Sequence, residues 1–127
     1  MFSDISNLIE IDLSGFDTSQ TSTFSGMFFN CQQLKEINLE NFETPYLNNI
    51  AQMFQYCYNL EYINFKEYNE RYNSSFSKTL EGVRNNIVIC LGENNENRYI
   101  EQLKTVLDSK TCHNFIVVMI GDHILKR

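Results

Sequence analysis

The chain has 127 residues, 43% hydrophobic and 13% aromatic, enough to bury one core and too apolar for a disordered segment. It carries 16 Asp+Glu against 10 Lys+Arg, a net charge of -6, with no basic run, so nucleic acid is not an expected partner. No stretch reaches the roughly 18 apolar residues of a membrane span, and "MFSDISNLIEIDL" lacks the basic start and apolar run of a signal peptide.

Set in rows of 26, the first 78 residues align with themselves: "MFSDISNLIEIDLSGFDTSQTSTFSG", "MFFNCQQLKEINLENFETPYLNNIAQ" and "MFQYCYNLEYINFKEYNERYNSSFSK". Met1, Met27 and Met53 share a column, followed by Phe2, Phe28 and Phe54, then Leu8, Leu34 and Leu60. Ile11, Ile37 and Ile63 form another, and Leu13, Leu39 and Phe65 the next. Fixed-period recurrence of apolar positions is the signature of stacked repeats, none of which buries its apolar side alone. The expected domain plan is three leucine-rich repeats over 1–78 (1–26, 27–52, 53–78). Residues 79–127 then hold a degenerate repeat and a strand–helix–strand cap.

Within each row, Leu-x-x-Ile-x-Leu predicts a short strand whose alternate residues face the core. The preceding Met-Phe-x-x-Cys predicts a helical or turn segment with Phe, Cys and Leu on one face. The expected fold class is α/β, a solenoid of about 26 residues per coil with a short parallel sheet. The outer side of the first rungs then carries Glu10, Asp12, Glu36, Asn38, Glu40, Tyr62 and Asn64. From it and the neighbouring positions we take a candidate binding face of Glu10, Asp12, Lys35, Glu36, Asn38, Glu61, Tyr62 and Asn64. Tyr62 is the expected anchor by residue type.

After residue 78 the character changes. "NNIVICLG" and "NFIVVMIG" are apolar runs of strand length, and "NENRYIEQLKTVLDS" between them reads as a helix with Ile100, Leu103, Val106 and Leu107 in one stripe. Adding 26 to Ile63 and Phe65 lands on Ile89 and Leu91, and adding it again lands on Phe115 and Val117. That spacing predicts parallel rungs four and five. Leu80 and Val83 fall in the Phe and Cys columns. The outer side of these rungs, Val88, Cys90, Ile116 and Val118, is apolar and should be covered. The tail, a neighbouring domain or a second copy pairing through that patch would each do so.

Chemistry-bearing residues are sparse. Cys31 and Cys57 share a column with Ile5, which marks a small buried apolar site. The cysteines form no C-x-x-C pair, and His113 and His123 are the only histidines, too few for a zinc site. Cys112, His123 and Asp122 make a triad on paper alone, because triads are defined by placement. "GENNEN" has one glycine and two acids where a phosphate would sit. The spaced acids read as a solvated face rather than a calcium site. No catalytic, metal or cofactor residue is assigned, so the chain is read as a non-enzyme. Asn73-Ser74-Ser75 fits the N-glycosylation acceptor pattern.

The pattern "MFxxCxxLxxINLxxFxT" resembles the BspA-like leucine-rich repeats of bacterial and protist surface proteins. "IDLSGFDTSQTSTFSGMFFNC" is similar to their "IDLSxFDTSxVTxMSxMFxxC", with Thr21 and Phe24 where Val and Met are usual. The resemblance covers residues 1 to about 66. It implies an extracellular or cell-surface adhesion module that binds a protein or glycan on a host cell or matrix. A structural capping or self-associating segment of a longer array is the alternative, and Met1 in the Met27 column fits such a parent. The resemblance also implies a disulfide between Cys90 and Cys112. The tail departs from the family, which tends to carry another Cys and a Trp.

Overall fold

The computed structural model describes residues 1–65, 75, 77–84, 87–91 and 116–119. Four strands form one sheet: β1 (Glu36–Asn38), β2 (Tyr62–Phe65), β3 (Val88–Leu91) and β4 (Ile116–Met119), in spatial order β1-β2-β3-β4. β1, β2 and β3 run parallel, and the register pairs Glu36 with Tyr62 and Tyr62 with Val88. Every paired residue in these two ladders therefore lies one 26-residue period further along the chain, with no slip. Because side chains alternate, that register carries Ile37, Ile63 and Ile89 to the same side, where all three are buried.

A second ladder joins the Met-Phe segments. The amide of Phe2 donates to the Met27 carbonyl at 2.8 Å, Phe28 to Met53 at 2.9 Å and Phe54 to Thr79 at 3.0 Å. These segments are successions of turns closed by three-residue bonds such as Cys31 N to Phe28 O and Leu34 N to Cys31 O, and no helix occurs among the described residues. Turning so tightly takes left-handed backbone at two columns. Gly26, Gln52 and Lys78 make one, and Asp4, Asn30, Tyr56 and Gly82 the other, all with φ between 59° and 80°.

The core lies between the two ladders. Phe2, Phe28 and Phe54 stack, with centroids 5.5 and 5.7 Å apart and the second pair 1° from parallel. Leu34, Leu60, Leu39 and Phe65 are buried with them, and Phe24 lies against Phe42 at 5.3 Å.

Two expectations are corrected by the strands. The first repeat has none: residues 8–13 join the next row through one long bond, Lys35 N to Ile9 O at 3.4 Å, and the sheet starts at Glu36. One such bond is too few to make a ladder. The fifth parallel rung is also absent, since β4 runs antiparallel to β3. Its register sets Val88 against Met119 and Cys90 against Val117, so Ile116 and Val118 stand opposite Leu91 and Ile89. The four-residue association patch is thereby split, because reversing a strand changes which residues meet across the ladder. Val88 and Cys90 are, moreover, only 1% and 0% exposed in the single chain. The expected helix, the Asn73 motif, His113, His123 and Cys112 lie outside the described residues.

Candidate functional site: the outer face of the sheet

Across the sheet, the outer positions pass from open to covered. Glu36 and Asn38 on β1 are exposed, Tyr62 on β2 is half-buried, Asn64 is 6% exposed, and Val88 and Cys90 on β3 are enclosed. Alternation on the pleat explains why Ile37 between Glu36 and Asn38 points inward.

The polar residues of this face divide by what already holds them. Asn38 accepts the Glu40 amide at 3.1 Å and Asp12 the Ser14 amide at 2.9 Å, each closing a turn two residues on. Bonds from the Ser14 side chain and then its backbone hold the Asp12 carboxyl below the usual carboxylate range. Glu61 pairs with Arg84 at 2.8 Å, a partly exposed bridge that adds little stability. Asn64 donates to Glu40 at 3.4 Å, while its own Oδ1 is buried without a partner. Glu10, Lys35 and Glu36 are exposed and take no side-chain bond among the described residues.

Tyr62 sits at the boundary. Its hydroxyl lies 3.5 Å from Cys90 Sγ, and Cys90 is disulfide-bonded, so the sulfur has no proton and the hydroxyl donates. Burial first, then the charges of Glu36 and Glu40, push its phenol up. Of the eight residues of the candidate face, the structure thus leaves Glu10, Lys35 and Glu36 free at the surface and Tyr62 at their edge. Glu40 and Arg84 belong to the same surface and were not among the eight. Glu40 sits two residues past the strand asparagine. Arg84 lies outside any strand, and its sequence position gave no sign of the bridge.

The cysteines separate into two kinds. Cys31 and Cys57 are free and buried, donating to the carbonyls of Phe2 and Phe28 at 3.0 and 3.1 Å. Cys90 is disulfide-bonded, and the fourth cysteine, Cys112, is outside the described residues. Alkylation of unfolded protein should add two groups without reductant and four after it, read by intact mass. Four without reductant would rule the Cys90–Cys112 bridge out, and a doubled mass would make it a link between chains. Among the described residues no three of His, Cys, Asp and Glu gather into a metal-binding group, and no helix is long and apolar enough to cross a membrane.

The family model described as "Mycoplasma protein of unknown function, DUF285" matches residues 1–87. The chain belongs to this family. The DUF285 match takes in the three repeats and stops one residue before β3, so β3 and β4 lie beyond it. No curated protein and no solved structure matches the chain.

Proposed function

We propose that the chain is a non-enzymatic interaction module, part of a BspA-like leucine-rich solenoid at the cell surface. It binds a protein or glycan ligand on a host cell or matrix through the open part of the sheet's outer face. The observation that carries this reading is the slip-free 26-residue register of β1, β2 and β3. A register so constant makes a rigid platform, on which side chains are held in rows before any ligand arrives. Lys35, Glu36 and Glu40 stand exposed there beside Tyr62, a type of residue favoured as an anchor. The disulfide at Cys90 supports an oxidising compartment, as an extracellular location requires.

The test is binding of the whole chain to host-cell or matrix ligands. Glu36→Lys with Tyr62→Ala is expected to weaken it by about tenfold, near the upper range for a single anchor plus a rim charge. Glu36→Lys alone, on an exposed residue, controls for misfolding. Unchanged binding by the double variant would remove this face from the proposal.

A second reading is favoured by β4. An antiparallel strand laid on β3 closes the parallel sheet to further stacking at that edge. In that reading the segment caps a longer array. A cap and a contact face are compatible on one chain.

A further inference from the structure

We infer that a second contact surface lies outside the sheet, on the stacked turns. There Tyr56, bonded to the Glu81 carboxylate and flanked by Phe29 and Tyr58, receives with them an arginine or lysine side chain from a basic segment of a partner protein. This surface is independent of the sheet face proposed above.

The three rings form a continuous group. Phe29 meets Tyr56 edge-on at 5.6 Å and 62°, and Tyr56 lies 6.0 Å from Tyr58 at 31°. Tyr58 is 48% exposed, and Phe29 and Tyr56 are half-buried. None of the three belongs to the buried core. Tyr56 is also the odd member of its column. Asp4, Asn30 and Gly82 are residue types that accept left-handed backbone, whereas a bulky aromatic at φ 64° is strained. Strain that the surrounding structure holds in place is a pointer to use. Gly82 makes room for it: a Cβ there would come within 3.0 Å of Tyr56 Cδ1 and 3.3 Å of Tyr58 Cε1.

Charge selects the occupant. Glu81 Oε1 accepts the Gln55 amide at 2.8 Å and the Tyr56 hydroxyl at 3.2 Å, which fixes the carboxylate at the edge of the rings. Its other oxygen takes no bond among the described residues. Among the described residues no cation neutralises it: Arg84 bridges Glu61, and Lys78 forms no ion pair with it. Electron-rich ring faces beside a fixed carboxylate attract a guanidinium or ammonium group. A purely apolar partner would bury that carboxylate uncompensated, and an anionic one would meet it directly. A sugar would need free amides to bond its hydroxyls, but each amide here already donates to a neighbouring amide or carboxylate. Gln32 donates to Asn30 at 2.8 Å, Asn30 donates to Asp4 at 3.0 Å, and Gln55 is buried against Glu81. The net charge of -6 adds long-range attraction for a basic partner.

The test is an NMR titration of the whole chain with the peptide acetyl-Gly-Arg-Gly-Arg-Gly-amide, following the ring protons of Tyr56 and Tyr58. Those resonances are expected to shift with saturation. Tyr58→Ala and Glu81→Gln, each at an exposed residue, should weaken binding about threefold apiece, the scale of one exposed cation–π contact. Salt at about 0.5 M should weaken it further. The inference falls if neither ring shifts, or if Tyr58→Ala binds as tightly as the parent. It also falls if the uncharged citrulline peptide or a methyl glucoside moves the same resonances equally, which would assign the surface to neutral ligands.

Discussion

Phe28→Ala is expected to lower the unfolding free energy by about 3–5 kcal/mol. Phe28 is fully buried and is the middle ring of the Phe2–Phe28–Phe54 stack, touched from both sides. Truncating it removes its own burial and leaves a cavity that two rows of backbone bonds keep from collapsing. Since domains of this size are stable by only about 5–15 kcal/mol, the variant should unfold at a much lower urea concentration with little change in slope. The informative comparison is within the column. Phe2→Ala should cost clearly less, because Phe2 is half-buried and has a ring neighbour in the column on one side only. Equal losses at Phe2 and Phe28 would show that stability is not distributed by this stack. Phe28→Leu, which keeps most of the volume, should retain more of the midpoint.

The stack was legible in the sequence because the repeat brings each column to the same side of the coil, so Phe2, Phe28 and Phe54 fall in line. The same logic made the register of β2 on β1 readable, since Ile37 and Ile63 must share a side. The direction of β4 was not readable. An apolar run has alternation but no polarity, so Phe115 and Val117 falling 26 residues beyond Ile89 and Leu91 fitted a parallel rung as well as the observed reversal. The turns were half written. Gly26 marks one left-handed column and Asn30 with Gly82 the other, but Gln52, Lys78 and Tyr56 disguise them. For the candidate face, residue type identified polar positions and could not say which were already committed. Asp12 and Asn38 look like ligand groups in the sequence. In the fold, each has an oxygen held by an amide two residues away. Asn64 belongs to the same column, yet lies under cover beside Cys90, since the face closes as it approaches β3. Which polar groups remain free is a property of the stacking, and it appears only once the rows are assembled.

The thiol of Cys57 should be almost inert in the folded chain. Burial, the larger influence, pushes it up from 9.0 to about 12, against a smaller opposing hydrogen bond, and nearby Cys31 is shifted the same way by its own burial. The thiolate is the reactive form. A rise from 9.0 to about 12 leaves roughly a thousandth of the ordinary thiolate population near pH 8. Iodoacetamide labelling of Cys57, located by peptide mass mapping, should therefore be slower by about that factor than in unfolded chain. Labelling at the unfolded rate would mean that the second and third repeats open readily. The same shift fixes the sign of an alkaline effect. In the unfolded chain the thiol ionises above 9.0, while in the fold it stays protonated until about 12. Its contribution to stability is thus complete below 9.0 and is lost as pH rises between those values. The phenol of Tyr62, also raised by burial, adds to the loss above 10.0. Urea midpoints should accordingly fall with pH above about 9, and Cys57→Ala, though less stable at neutral pH, should lose stability less steeply there. A Cys57→Ala variant with an undiminished alkaline slope would place the titrating group elsewhere, with Cys31 and Tyr62 next in line.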